Sequence, residues 1–427
     1  MKLTSSYNDW LCEQYASSVS DQYIAEGGAS GHMNHPFDDM SLTFGDFKRM
    51  IISGLSGRLN FEEVPSEKTD GQNLWATVNN GEVLFARNKT ETIKPMSLQE
   101  FKQKFKDHPV ENVRLTFSLA ADDLSELLIK LSKKDQDDFF DKGRSFIVME
   151  LIYSKNPNVI NYDIDVIQFH NITQTDGSGN VIGTDTKKAK TISAILDKVN
   201  ANIGKTFSVI PPRELILRKS TDFSTDVLKF LGKLKTIQNE FNCSDTDTLL
   251  NYNEQKWAQI IDSKFPSLDV YNRDILIKRW AWNDKKQGDI RLLNITDKDQ
   301  LDEIKKLDKE DSKKIYKKHI EPFEDLFLEL GSVIIKNASN FVAANPEKEA
   351  IRLREYLNSV ILDIKKSGTE DQIIKVQNEL DRLNRIGGID SIYPTEGIVY
   401  VYNNKTYKLT GTFAALNQLV GIIKYGR

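Results

Sequence analysis

Cysteine is nearly absent: the 427 residues contain only Cys12 and Cys243, far apart and outside any CxxC pair. That excludes a disulfide framework and a thiolate zinc site, and it fits a reducing compartment. Histidine is scarce too. Of five, His32 and His35 stand near Asp38 and Asp39 in a glycine-punctuated stretch, which reads as an ordinary polar loop more readily than as a metal site. An excess of either charge is also missing. The 58 basic and 62 acidic side chains leave a formal net of −4, so no global basic field marks a nucleic-acid binder and any polyanion site must be local. No apolar run approaches the ~18 residues of a membrane span; Phe146 to Tyr153 is short and interrupted by Glu150. Met1 to Trp10 has neither the basic start nor the apolar core of a signal peptide. The expectation is a cytoplasmic protein with no membrane partner. At 39% hydrophobic and 28% charged residues the chain is built to fold, with material for roughly two to four structural units.

The patterning changes along the chain. Thr43 with Asp46 resembles a capping box, opening a helix that carries Phe44, Phe47, Met50 and Ile51. Leu74, Ala76 and Val78 alternate with polar residues, Asn79-Asn80-Gly81 supplies a turn, and Val83 and Phe85 resume the alternation, which predicts a β-hairpin. Residues 98–142 read as helical, Ser145–Tyr153 and Tyr162–Ile172 as strands, and Asp176–Asn180 as a turn. From 185 to 388 apolar residues recur at helical spacing. Phe323, Leu326, Phe327 and Leu330 form one stripe, Leu353, Leu357 and Val360 another, with caps at Asn345-Pro346 and Thr369/Gln372. Strands return at Glu396–Tyr402 and Thr406–Thr410, followed by a short helix. Two late strands are too few to stand alone, which predicts an α+β domain interrupted by a large all-α insertion. The expected division is 1–60, an N-terminal helical extension; 61–184, the first part of the α+β domain; 185–388, the helical insertion; and 389–427, the closing strands and helix.

The segment Glu67-Lys68-Thr69-Asp70-Gly71-Gln72-Asn73 precedes the hairpin. It resembles the KxDG motif of the covalent nucleotidyltransferase superfamily, which contains ATP-dependent DNA ligases, RNA ligases and mRNA capping enzymes. Further positions follow in that family's order. Arg87 resembles the next basic position, Glu150 in Val148-Met149-Glu150-Leu151 the ribose-binding carboxylate, and Phe169 the aromatic that stacks on the purine, although His170 stands where an Asp is usual. Glu396-Gly397 is similar to the EG motif near the triphosphate and metal, and Lys408 stands in the family's final lysine-bearing strand. The resemblance implies antiparallel sheets with flanking helices and a covalent lysyl-AMP intermediate on Lys68. It also implies nucleotide contacts from Glu67, Asp70, Gly71, Asn73, Arg87, Glu150, Phe169, Glu396 and Lys408, with Mg²⁺ or Mn²⁺ at Glu396. The chemistry agrees with these roles. A lysine amine attacks phosphorus only when deprotonated, so its pKa of about 10.4 has to be lowered by burial or nearby positive charge. Lys408 and the metal are the expected sources. Glu150 shares a strand face with Phe146, Val148 and Ile152, where an unpaired carboxylate is costly, so it requires a partner or ligand. Phe169 has the alternative reading of a core residue.

Asn73, two residues after the motif glycine, is the choice of phage-type and editing-type RNA ligases, where DNA ligases place arginine; this favours RNA over DNA. The chain end at Arg427 leaves no room for a downstream OB domain, which points the same way. Thr410 stands where a second lysine is usual, and it motivates the alternative of a degenerate nucleotide-binding scaffold. For Lys408 to share a face with Glu396 by strand alternation, the last hairpin needs a three-residue loop, Asn403–Lys405, or a bulge. Within the insertion, Lys278, Arg279, Trp280 and Trp282 interleave cations with aromatics as a single-strand binding surface does; an amphipathic helix with its tryptophans in the core is the alternative. The oligomeric state is left open.

Overall fold

A computed structural model describes residues 33–198 and 205–425. Cys12, His32 and the first half of the expected N-terminal helical extension lie outside them. The described chain forms two compact units, one made of 34–58 with 219–330, the other of 59–218 with 331–425. This differs from the expected division at both ends of the helical block. Residues 34–58 join 219–330 because the helix Phe44–Leu55, capped by Thr43 and Asp46 as expected, turns Phe44 and Phe47 onto Phe323, with Phe327 and Tyr252 completing the aromatic core. The helices Pro346–Ser367 and Glu370–Arg385 instead pack with Phe413–Tyr425, in the unit that holds the sheets. The all-α block is thus shorter than predicted. Among the described residues no helix is long and apolar enough to cross a membrane.

The unit with the sheets is mixed α/β. Its strands are β1 (Ser66–Lys68), β2 (Gln72–Asn79), β3 (Glu82–Ala86), β4 (Ser145–Ile152), β5 (Val166–Thr175), β6 (Val181–Asp185), β7 (Ser208–Ile210), β8 (Ile216–Leu217), β9 (Ala338–Ser339), β10 (Gly397–Tyr402) and β11 (Lys405–Leu409). A larger sheet runs β3-β2-β4-β5-β6, antiparallel throughout, with β7 added parallel to β5. A smaller antiparallel sheet runs β1-β10-β11, and β8 pairs with β9. The β2–β3 hairpin closes on Asn80-Gly81, both at positive φ, the twist-matched turn that the sequence predicts.

The two faces of the larger sheet differ. On one, Leu74, Ala76, Phe85, Met149, Ile167 and Phe169 meet Phe101, Phe117, Leu124 and Ile192 from the helices Leu98–Lys106, Glu111–Leu128 and Thr186–Lys198 in the main core. The expected helical stretch 98–142 is divided into three, with a break at Asp107–Val110 around Pro109, before which helical backbone is disfavoured. The other face holds a smaller apolar cluster, Trp75, Ala86, Phe146 and Val148. Strand alternation also puts Asn73 and Glu150 there, and the polar chemistry collects on this face.

Candidate functional site

Lys68 ends β1, where it pairs with Gly397 of β10 while Val399 pairs with Lys408 of β11. Gly397 and Val399 share a face by alternation, so Lys68 and Lys408 project from the same side of the small sheet. The hairpin does not take the three-residue loop that strand alternation alone would need to bring Lys408 and Glu396 to one face. Tyr402 pairs with Lys405, and Asn403-Asn404 alone make the turn, both at positive φ, as the two-residue twist-matched turn requires. By strict alternation Lys408 and Glu396 would then point apart. Glu396 escapes that rule because it lies before β10, in a bend, and its carboxylate accepts a hydrogen bond from Lys68 Nζ at 2.9 Å.

From the larger sheet, Glu150 Oε1 lies 3.5 Å from Lys68 Nζ. Its other oxygen accepts a hydrogen bond from the Thr69 hydroxyl and sits 3.4 Å from His170 Nε2. His170 reaches Glu150 through a bulge: Val148 pairs with Asn171 but Met149 with Phe169, leaving His170 as the extra residue. Lys68, Glu150 and Glu396 are each only 12–19% exposed at the side chain, so Glu150 has the partner that its position demanded.

Asp70 anchors the motif loop. Its carboxylate accepts from the Val159 and Ile160 amides at 2.7 and 3.0 Å, and its own amide donates to Tyr162 Oη at 2.7 Å. Gly71 follows because nothing larger fits: a Cβ there would meet the Leu151 carbonyl oxygen at 2.9 Å and Glu150 Cβ at 3.0 Å. Gly397 answers the same demand, since a Cβ on it would lie 2.3 Å from the Leu409 carbonyl oxygen.

The electrostatics reverse one expectation. Burial acts to lower the Lys68 pKa, but Glu150, Glu396 and Asp70 outweigh it and hold the amine above the ordinary lysine value, so it stands as an ammonium. Burial likewise opposes the charged form of Glu150, and Lys68 and His170 overcome it, keeping the carboxylate low. Asp70 is pushed up to about 7 by burial and by Glu396. Two carboxylates lie within 3.5 Å of the amine. They are also its nearest proton acceptors.

Not every expected residue belongs to this constellation. Phe169 pairs with Met149 and is wholly buried in the helix-covered core, on the sheet face opposite Glu150, which corrects its reading as a stacking platform. Arg87 lies 4.0 Å over the Phe117 ring and donates to the Asn73 carbonyl at 2.5 Å, with burial lowering it to about 10. It buttresses β2. Asn73 pairs with Glu150 and donates to the Arg87 carbonyl at 3.0 Å. Glu67 alternates to the other side of β1, buried, where it accepts from the Val342 amide. In the helical unit Arg279 makes a two-toothed pair with Asp308 at 2.8 and 2.9 Å, Trp280 donates to the same carboxylate at 2.9 Å, Trp282 donates to Glu254, and Lys278 pairs with Asp274 at 2.8 Å. Trp280 lies in the local core with Trp282 packed against it, as the amphipathic-helix alternative has it, and Lys278 and Arg279 pair with neighbouring carboxylates.

The donor set near Lys68 fits a hard cation in its chemistry. Mg²⁺ takes one or two carboxylates and fills its remaining positions with water and phosphate oxygens, and Glu396 with Glu150 offers that much. Among the described residues no group of three or more His, Cys, Asp or Glu side chains makes a metal cage from protein alone. Comparison with family models, with curated proteins and with solved structures gave no match. The functional reading therefore stands on the residues and their geometry.

Proposed function

We propose that this chain is an ATP-dependent polynucleotide ligase, acting on RNA through a lysyl-AMP intermediate on Lys68, in a ligase-type nucleotidyltransferase domain. One observation carries the reading: segments near residues 68, 150 and 396, far apart in sequence, bring one lysine amine within 3.5 Å of two carboxylates. An enclosed lysine nucleophile needs that company, a place to be held and an acceptor for its proton. In the first step Nζ passes its proton to a neighbouring carboxylate and attacks the α-phosphorus. A P–N bond forms as the bond to pyrophosphate breaks. AMP then moves to a 5′-phosphate, and attack by a 3′-hydroxyl forms the new phosphodiester and releases AMP. Mg²⁺ or Mn²⁺, when bound at Glu396, supplies positive charge to the phosphates. Lys408, on the Lys68 face of the sheet, adds more.

The test is incubation with α-labelled ATP and Mg²⁺. The expected result is covalent label on the protein that Lys68→Ala abolishes; label that survives this change would defeat the proposal. Labelled protein offered nicked duplex DNA, nicked RNA and single-stranded RNA is expected to transfer AMP to RNA ends. Thr410, buried and one residue past β11, favours a second reading, a nucleotide-binding scaffold without chemistry. ATP binding with no label would select it.

A further inference from the structure

We propose that Gln168 reads the purine edge of the bound nucleotide and makes this site select adenine. The inference rests on the nucleotide reading above and adds the residue that carries its base preference. Asn73, Glu150 and Gln168 stand opposite one another on β2, β4 and β5, a polar row on the face that also carries Trp75, Phe146 and Val148. Gln168 is fully buried, yet neither its amide oxygen nor its amide nitrogen has a hydrogen-bond partner. The indole N–H of Trp75, on the same face, is buried and unpartnered as well. Single buried polar atoms lack a partner elsewhere in the chain too, such as Trp257 Nε1 and Ser193 Oγ, but among the described residues Gln168 alone has two such atoms, and leaving a whole amide unpaired is costly. An apolar wall with a few converging polar groups is the usual make-up of a small-molecule site.

The amide has an acceptor oxygen and donor hydrogens side by side. Adenine presents the matching pair, with its 6-amino group donating to the oxygen and N7 accepting from the nitrogen. Guanine presents two acceptors there, O6 and N7, and the amide oxygen would face O6 without a proton between them. Since Gln168 is covered, a base reaching it has to displace its cover, so binding and a local rearrangement go together. Phe169, one residue on, points into the opposite core, and the base-recognition role expected of it falls to its neighbour.

The experiment measures ATP and GTP binding to the full chain by calorimetry, with label transfer run separately. The wild type is expected to prefer ATP by about tenfold or more. Gln168→Met should bring the two affinities within about threefold, mainly by weakening ATP. Its melting temperature should equal or exceed the wild type's, because an unpaired buried amide has been replaced by an apolar chain of similar length. Gln168→Leu serves the same purpose if the methionine variant does not fold. An unchanged ATP-to-GTP ratio in a folded variant, equal affinities in the wild type, or binding of neither nucleotide would each overturn the proposal. ATP binding without lysyl label would sink the ligase reading alone, whereas label with an unchanged ratio would sink this one alone.

Discussion

Lys68 is held as an ammonium by the carboxylates that the proposed chemistry uses as proton acceptors, and this sets its pH dependence. A raised lysine pKa means that the reactive amine becomes more populated as pH rises. Single-turnover label formation should therefore accelerate into the alkaline range. Glu150→Gln removes one of the negative charges that hold the proton, so its rate profile should lie at lower pH than the wild type's; coincident profiles would show that this charge does not govern the amine. Gly71→Ala puts a methyl against the Leu151 carbonyl and Glu150 Cβ. It should cost about 1–3 kcal/mol of stability, seen in denaturant titration, and slow label formation. The grouping of Lys68 with Glu150 and Glu396 was legible in sequence through the order of the motifs that carry the family resemblance. His170 and Gln168 were not, since a single bulged residue decides which side chains of β5 face Glu150.

Secondary structure was most legible where local chemistry fixes it. The caps at Thr43, Asn345 and Thr369 all accept hydrogen bonds from helix amides as their spacing predicts, and Thr43→Ala should cost about 1 kcal/mol. A lowered melting temperature with undiminished lysyl label would place that loss in the helical unit alone. The hairpins show where pattern and pairing part. Asn80-Gly81 and Asn403-Asn404 are both recognisable turns, but pattern left the length of the second loop open, and the three-residue form needed for Lys408 and Glu396 to share a face by alternation rests on counting Glu396 in the strand, where it does not lie. β1 was invisible for another reason: three residues have no detectable period, and only pairing with β10 makes them a strand. The same holds for β7, β8 and β9, each two or three residues long within a stretch expected to be helical. Trp280 shows burial overriding a suggestive composition, because its ring packs with Trp257 at 5.1 Å in the local core.

At the scale of the molecule, composition shows where helices dominate but not which segment they pack against, so the union of 34–58 with 219–330 could not be read from pattern. Near-neutral charge similarly conceals how charge is buried. Glu67 and Asp70 are raised by burial to about 8 and about 7. The folded chain then holds protons that the unfolded chain has already lost, and stability falls as pH rises from the ordinary carboxyl range near 4.5 toward 8. The depressed Glu150 acts elsewhere: its contribution is present above that range and is lost only as pH falls through it. Glu67 is the cleaner probe, because it faces away from Lys68 and accepts from the Val342 amide. Glu67→Gln keeps that acceptor and removes the titration. Its melting temperature should match the wild type's near pH 5 and exceed it by a few degrees near pH 9. A difference that is constant across pH would show that Glu67 carries the same protonation in the folded and unfolded chains over this range, so that burial does not raise its pKa.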